Sequence, residues 1–186
     1  MKFKKSKKFI PFSPPWISAE DERAVLDTLR SSWITTGPKA KRFEDAVAKY
    51  TGSAHAVATF SCTDAMSIAL KVLGIKKGDE VITSPFTFAS TAHVICYHGA
   101  KPVFVDVEPD TFNIDPAKIP VKINKRTKAI LPVHFGGQPA EMDDILDVAA
   151  KDKLFVMEDA AHALGSVYRN RRIGSIGDIT CFSFYA

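Results

Sequence analysis

"KAILPVHFGGQPAEMDDILDVAAKDKLFVMEDAAH", Lys128 to His162, decides the fold. Its two ends, "KAILPV" and "KLFVME", are short apolar runs rich in β-branched residues and without polar alternation, the pattern of strands buried on both faces. Between them Met142, Ile145, Leu146 and Ala149 recur at i, i+3, i+4 and i+7, which predicts an amphipathic helix. Pro132 cannot donate to a central ladder, so it demotes the first run or marks its end.

The same alternation extends outward. Ser18 followed by Asp21 opens a capping pattern for a helix over about 18–31, with Val25, Leu26 and Leu29 as its apolar stripe. "SSWITTGP" breaks that helix. Two further amphipathic helices follow, one through Phe43, Ala46, Val47 and Tyr50 and one through Met66, Ala69, Leu70 and Leu73. "HAVATF" (55–60), "EVITS" (80–84), "KPVFVDV" (101–107) and "ITCFSF" (179–184) read as further strands. Buried strands alternating with helices predict an α/β fold, a mostly parallel sheet sandwiched by helices. No internal repeat is present. Ligands of such sheets sit beyond the carboxyl ends of the strands, where "SCTDAM", "SPFTFAS" and "EDAAH" fall and are expected to converge on one crevice.

The 186 residues, 46% hydrophobic and 25% charged, suit one globular domain. The net charge of +4 owes much to "MKFKKSKK", which holds five lysines. Residues 1–10 are read as a solvated basic tail and 11–186 as the domain, with no nucleic acid expected. "FIPFSPPWIS" is proline-broken and no run approaches membrane-spanning length, so a cytoplasmic protein without a membrane partner is expected. Cys62, Cys96 and Cys181 are odd in number and widely spaced, and the five histidines lack metal-ligand spacing, so neither disulfides nor a metal is expected.

Three places carry candidate chemistry. "SCTDAM" opens a helix, so the N–H groups around Cys62, Thr63 and Asp64 fit either a phosphate seat or a simple N-cap. No P-loop or dinucleotide fingerprint is present. In "FTF", Phe86 and Phe88 offer a ring to a flat ligand or to the core. Asp159, at a strand end, needs a cationic or strongly donating partner, and the acidic pair Glu158–Asp159 at the end of an apolar run is not expected to fill the core. An anion seat, a flat ring and a carboxylate for a ring nitrogen together describe pyridoxal phosphate, whose protonated pyridine nitrogen makes it an electron sink.

The ordered series "SSWITTGP", "SCTDAMSIALKVLGIKKGDEVITSPFTFAST", "GAKPVFVDVEPDTFNID", "RTKAILPVHFGGQPAEMDDI" and "VMEDAAHALGSVYRNRRIGSIGDITCFSFYA" resembles the DegT/DnrJ/EryC1/StrS family of fold-type-I pyridoxal 5'-phosphate enzymes, from about Pro11 onward. The resemblance implies the large cofactor-binding domain, with Thr63, the Cys62 amide and Ser183 on the phosphate and Phe88 on the pyridine ring. It also implies Asp159 on the pyridinium nitrogen, His162 near the ring hydroxyl, and Thr35, Thr36 and Gly37 on the substrate side. Cys62 stands where many relatives have Gly, a change that keeps the backbone donor.

The implied activity is transfer of an amino group from glutamate to a keto sugar on a nucleotide, at C4. The implied setting is cell-envelope polysaccharide biosynthesis, by a homodimer with sites at its interface. The implied Schiff-base lysine follows "FSFY", where this sequence has none, so the lysine and a small C-terminal domain are expected beyond Ala186, and this chain alone is expected to be inactive. A true truncation is the other explanation. A pyridoxamine-dependent sugar dehydratase, or a non-catalytic cofactor-binding regulator, are the alternative functions.

Overall fold

The computed structural model describes Phe9 and residues 14–185. The basic tail read over 1–10 lies, apart from Phe9, outside the described residues, as do Pro11 and Ala186.

Helix α1 (Ala19–Arg30) starts as its sequence dictates. The Ser18 hydroxyl accepts the Asp21 N–H and the Asp21 carboxylate accepts the Ser18 N–H at 2.8 Å, a complete capping box. Helix α2 (Pro38–Thr51) has proline at its first position and ends on Gly52 in the left-handed conformation. Helix α3 (Cys62–Val72) is capped by Ser61, whose hydroxyl accepts the Asp64 N–H at 3.0 Å. Helix α4 (Ala89–Tyr97) is not anticipated by the sequence pattern, and α5 (Met142–Asp152) is.

The strands are β1 (Glu80–Thr83), β2 (Lys101–Phe104), β3 (Thr127–Leu131), β4 (Phe155–Ala160), β5 (Val167–Tyr168), β6 (Arg171–Arg172) and β7 (Ile179–Phe182). Five of them form a parallel sheet in the order β2-β1-β3-β4-β7, and β5–β6 is a small hairpin. The α/β reading therefore holds. Pro132 stands just past β3, so the proline ends a central strand rather than demoting it.

Successive strand residues point to opposite faces, and the core divides accordingly. Val81, Ala129, Leu131 and Met157 pack with Met66 and Leu70 of α3 and Val94 and Ile95 of α4. Ile82, Ile130 and Val156 pack on the other face with Met142 and Ile145 of α5. This three-layer arrangement brings all five strands' carboxyl ends to one rim.

One predicted strand does not form. Residues 55–60 join no ladder, and Val57 and Phe60 are exposed. A strand exists only through its pairing, and these residues are separated from the edge strand β7 by a cleft of about 620 Å³ lined by both. The β-branched run is thus left without a neighbour among the described residues.

Glu80 anchors the start of β1. Its buried carboxylate accepts from the Asn124 amide at 2.7 Å and from Arg126 Nε at 3.0 Å. Asn124 first, then Arg126, holds the carboxyl below its ordinary range against the opposing effect of burial. A lowered folded-state pKa contributes stability above the unfolded value, near 4.3, and loses it as pH falls through the folded value. Glu80→Gln is therefore expected to cost about 1–2 kcal/mol at neutral pH, with a smaller deficit once the wild-type carboxylate is protonated. Urea unfolding at both pH values checks this; an equal deficit at both would show that the charge contributes nothing.

Candidate functional site

Asp159 lies near the carboxyl end of β4 and is 4% exposed. Its backbone is fixed from both sides: its N–H donates to Pro132 at 2.9 Å, its carbonyl accepts from the His134 N–H at 3.0 Å, and it stands in register with Cys181 of β7. Its Oδ2 accepts the Thr91 hydroxyl at 2.7 Å and its Oδ1 the Ala161 N–H at 3.2 Å. A carboxylate offers about four lone-pair sites, so two donors leave room for another. Among the described residues no lysine or arginine forms a salt bridge with it.

The N-terminus of α3 meets the same rim. The Cys62 Sγ donates to the Cys181 carbonyl at 3.5 Å, which ties α3 to β7. Burial, then the Asp159 charge, pushes the Cys62 thiol up to about 12, so the carboxylate acts electrically at the head of α3. The first N–H groups of a helix lack intrahelical acceptors and carry its positive dipole end. Those of Cys62 and Thr63 find no acceptor among the described residues, while Ser61 occupies that of Asp64. Ser61, Cys62 and Ser183 line the cleft beside β7. The Ser183 hydroxyl accepts the Tyr185 N–H at 3.2 Å.

The two rings of "FTF" take different places. Phe86 packs on Phe135 and Phe112, at 4.5 and 5.1 Å between ring centres, whereas Phe88 stands at the N-cap of α4 and is 78% exposed. His162 is exposed, and its Nδ1 accepts the Gly136 N–H at 3.3 Å, which puts its proton on Nε2. Thr35, Thr36 and Gly37 form the exposed loop before α2, where the Trp33 indole donates to the Thr36 carbonyl at 3.0 Å. A Cβ at Gly37 would stand 2.6 Å from that indole nitrogen, so the close approach needs glycine. No hydrogen bond joins this loop to Asp159 or α3 among the described residues.

Two parts of the site escape sequence reasoning. Thr91, fully buried on α4, holds Asp159 and is itself bonded to Thr87 at 2.7 Å. Its only signal is the four-residue spacing of Thr87 and Thr91, which is legible once "FTFAST" is read as a helix start. The second is Glu158. It is fully buried, contrary to the expectation that the acidic pair avoids the core, because three hydrogen-bond donors surround its carboxylate.

Comparison with known proteins identifies the family. The model of the DegT/DnrJ/EryC1/StrS aminotransferase family matches residues 15–186. The spore coat polysaccharide biosynthesis protein SpsC of Bacillus subtilis (strain 168) is 54% identical over 178 residues, covering 96% of this chain and 46% of SpsC. The UDP-4-amino-4-deoxy-L-arabinose–oxoglutarate aminotransferase of Shewanella sediminis (strain HAW-EB3) is 48% identical over 182 residues, covering 97% of this chain and 46% of that protein. The solved structure of Streptococcus pneumoniae Spr1654 in its PMP-form superposes with a TM-score of 0.93 at 39% identity, covering 96% of this chain and 48% of that one; its PLP-form gives 0.92. The chain spans about half the length of the curated relatives it matches.

Proposed function

The chain belongs to the DegT/DnrJ/EryC1/StrS aminotransferase family, and on that premise we propose that it forms the large cofactor-binding domain of a pyridoxal 5'-phosphate-dependent sugar aminotransferase. Asp159 carries the proposal: a buried carboxylate without a cationic partner among the described residues, close enough to the N-terminus of α3 to act on Cys62. The site fits the cofactor at both ends. Pyridoxal phosphate supplies, when bound, an electron sink for bond breaking at the amino-bearing carbon.

The chain's residues would hold and tune it. Asp159 keeps a proton on the ring nitrogen, since a carboxylate fixed by Thr91 and the Ala161 N–H favours a cation beside it. The Cys62 and Thr63 amides and the Ser183 hydroxyl bind the phosphate at the positive end of α3. The exposed Phe88 would cover the pyridine face and exclude water there, and His162, whose Nδ1 is occupied by the Gly136 N–H, would offer Nε2–H to the ring hydroxyl. Thr35, Thr36 and Gly37 contact the substrate.

For the whole protein the proposal is amino transfer from glutamate to C4 of a nucleotide-linked keto sugar, in polysaccharide biosynthesis, by a cytoplasmic homodimer. The names of the Bacillus and Shewanella relatives support the polysaccharide setting and the C4 position. Among the described residues no helix is long and apolar enough to cross a membrane. The apolar stripe of α1, with Val25 and Leu29 each 60% exposed, suits coverage by a second copy. The Schiff-base lysine and a small domain would belong to sequence beyond these residues.

Absorbance of the purified full-length protein tests the reaction. Glutamate is expected to convert bound cofactor from its aldehyde to its amine form, and a nucleotide-linked 4-keto sugar to reverse the change. Reversal by a 3-keto isomer alone would overturn the C4 assignment, and no response to glutamate would overturn the donor.

A further inference from the structure

Glu158 precedes Asp159 on β4, is fully buried, and has no role in the chemistry above. Alternation along the strand turns its side chain to the opposite face. There its Oε1 accepts the Gly177 N–H at 2.9 Å and the Thr180 hydroxyl at 2.6 Å, and its Oε2 faces His134 Nε2 at 2.9 Å. A Cβ at Gly177 would stand 2.9 Å from the Val156 carbonyl oxygen and 3.0 Å from Oε1, so this close approach needs glycine.

His134 is buried as completely, and its Nδ1 accepts the Ala140 N–H at 3.0 Å. The imidazole proton therefore lies on Nε2, and the ring is a neutral donor rather than a cation. Three donors satisfy the Glu158 carboxylate and none cancels its charge. Among the described residues no lysine or arginine forms a salt bridge with it either. A buried carboxylate without a counter-charge is costly, and this fold keeps one beside a second, Asp159.

Other titratable groups around the pair are few. Cys62 faces it from α3, Cys181 from β7, His162 follows β4, and Asp178 bonds the Val156 N–H at 2.8 Å. The Cys181 thiol is pushed up by burial, then by Cys62, Asp159 and Glu158, so both carboxylates act at one point between β7 and α3.

We propose that Glu158, oriented by His134, is a positioning residue that sets a second fixed negative charge behind Asp159 and so helps retain the proton on the ring nitrogen of the bound cofactor. The inference rests on the cofactor reading above. The geometry also joins the two carboxylates mechanically: the His134 side chain orients Glu158 while the His134 N–H holds the Asp159 carbonyl at 3.0 Å.

The test follows the ring-nitrogen NMR signal of 15N-labelled pyridoxamine phosphate bound to the purified protein, across its pH titration. In Glu158→Gln the midpoint is expected about one pH unit lower than in the wild type, because removing a nearby negative charge releases the proton more easily. In the double variant Glu158→Gln, His134→Glu the charge moves to the neighbouring side chain. There the introduced amide accepts from Gly177 and Thr180 and donates to the introduced carboxylate, which accepts from Ala140. Its midpoint is expected to return toward the wild type.

A wild type that binds no pyridoxamine phosphate would overturn the cofactor reading itself. Binding with an unshifted midpoint in Glu158→Gln, however weakened, would leave Glu158 a purely structural role and overturn this proposal, as would a double variant that titrates like the single one. Glu158→Gln places two donors face to face at His134. If it does not fold, Glu158→Gln with His134→Met, which removes the conflicting donor, replaces it in the same comparison.

Discussion

Asp159→Ala is expected to leave a folded protein whose amino transfer falls on the order of 10³-fold, with weakened cofactor binding, the scale of loss when one preorganised charge-stabilising group is removed from a site. The fold is expected to survive because the strand position is held by backbone bonds to Pro132 and His134 and by the register with Cys181, none of which needs the side chain. The carboxylate is moreover a buried charge without a cation among the described residues, so its removal relieves a desolvation cost while stranding only the Thr91 hydroxyl and the Ala161 N–H. Turnover and cofactor affinity are the informative pair of measurements. Wild-type rates in the variant would eliminate the ring-nitrogen role, whereas an unfolded variant would reassign Asp159 to the core.

Ile130→Ala is expected to have the largest effect on stability, about 2–5 kcal/mol. Ile130 sits on the central strand β3, in register with Ile82 of β1 and Val156 of β4, and all three are essentially fully buried on the face covered by α5. Truncation there loses the transfer free energy of the missing carbons and leaves a void that the sheet, held from both sides, cannot close. Against a typical total of 5–15 kcal/mol, that is a large share. Ile68→Ala is the matched control, because Ile68 is 54% exposed on α3. Denaturant midpoints of the two variants decide the matter, and a loss at Ile130 no greater than at Ile68 would mean that the three-strand row is not the packed centre described here.

Elements whose signal is local were legible. The Ser18–Asp21 box and the 3.6-residue stripe of α5 act within a few residues of themselves, so each could be read directly. Helix α4 was not, because polar Thr91 is buried with Val94 and Ile95 while Cys96 and Tyr97 are exposed, so its sequence shows no clean amphipathic stripe. The run 55–60 misled for the converse reason: β-propensity was present, but pairing is supplied by a distant strand.

The candidate site divides along the same line. The groups proposed to face the ligand, Thr63, Phe88, Asp159 and Ser183, lie in short motifs that chemistry and family resemblance single out. The groups behind them do not. Thr91 reaches Asp159 across 68 positions and His134 reaches Glu158 across 24, so no spacing in the chain announces either bond.

By itself, then, the sequence determined the α/β alternation, the starts of α1 and α3 and the residues proposed to meet an anion, a ring and a ring nitrogen, since propensity, capping and periodicity act over one or two turns of chain. Only the tertiary structure decided that Glu158 is buried, that the His134 ring donates to it as a neutral group, that Thr91 fixes Asp159, and that residues 55–60 stay unpaired. Each of these depends on donors, acceptors or strand edges brought together from distant parts of the chain, and burial turns such a partner from optional into obligatory.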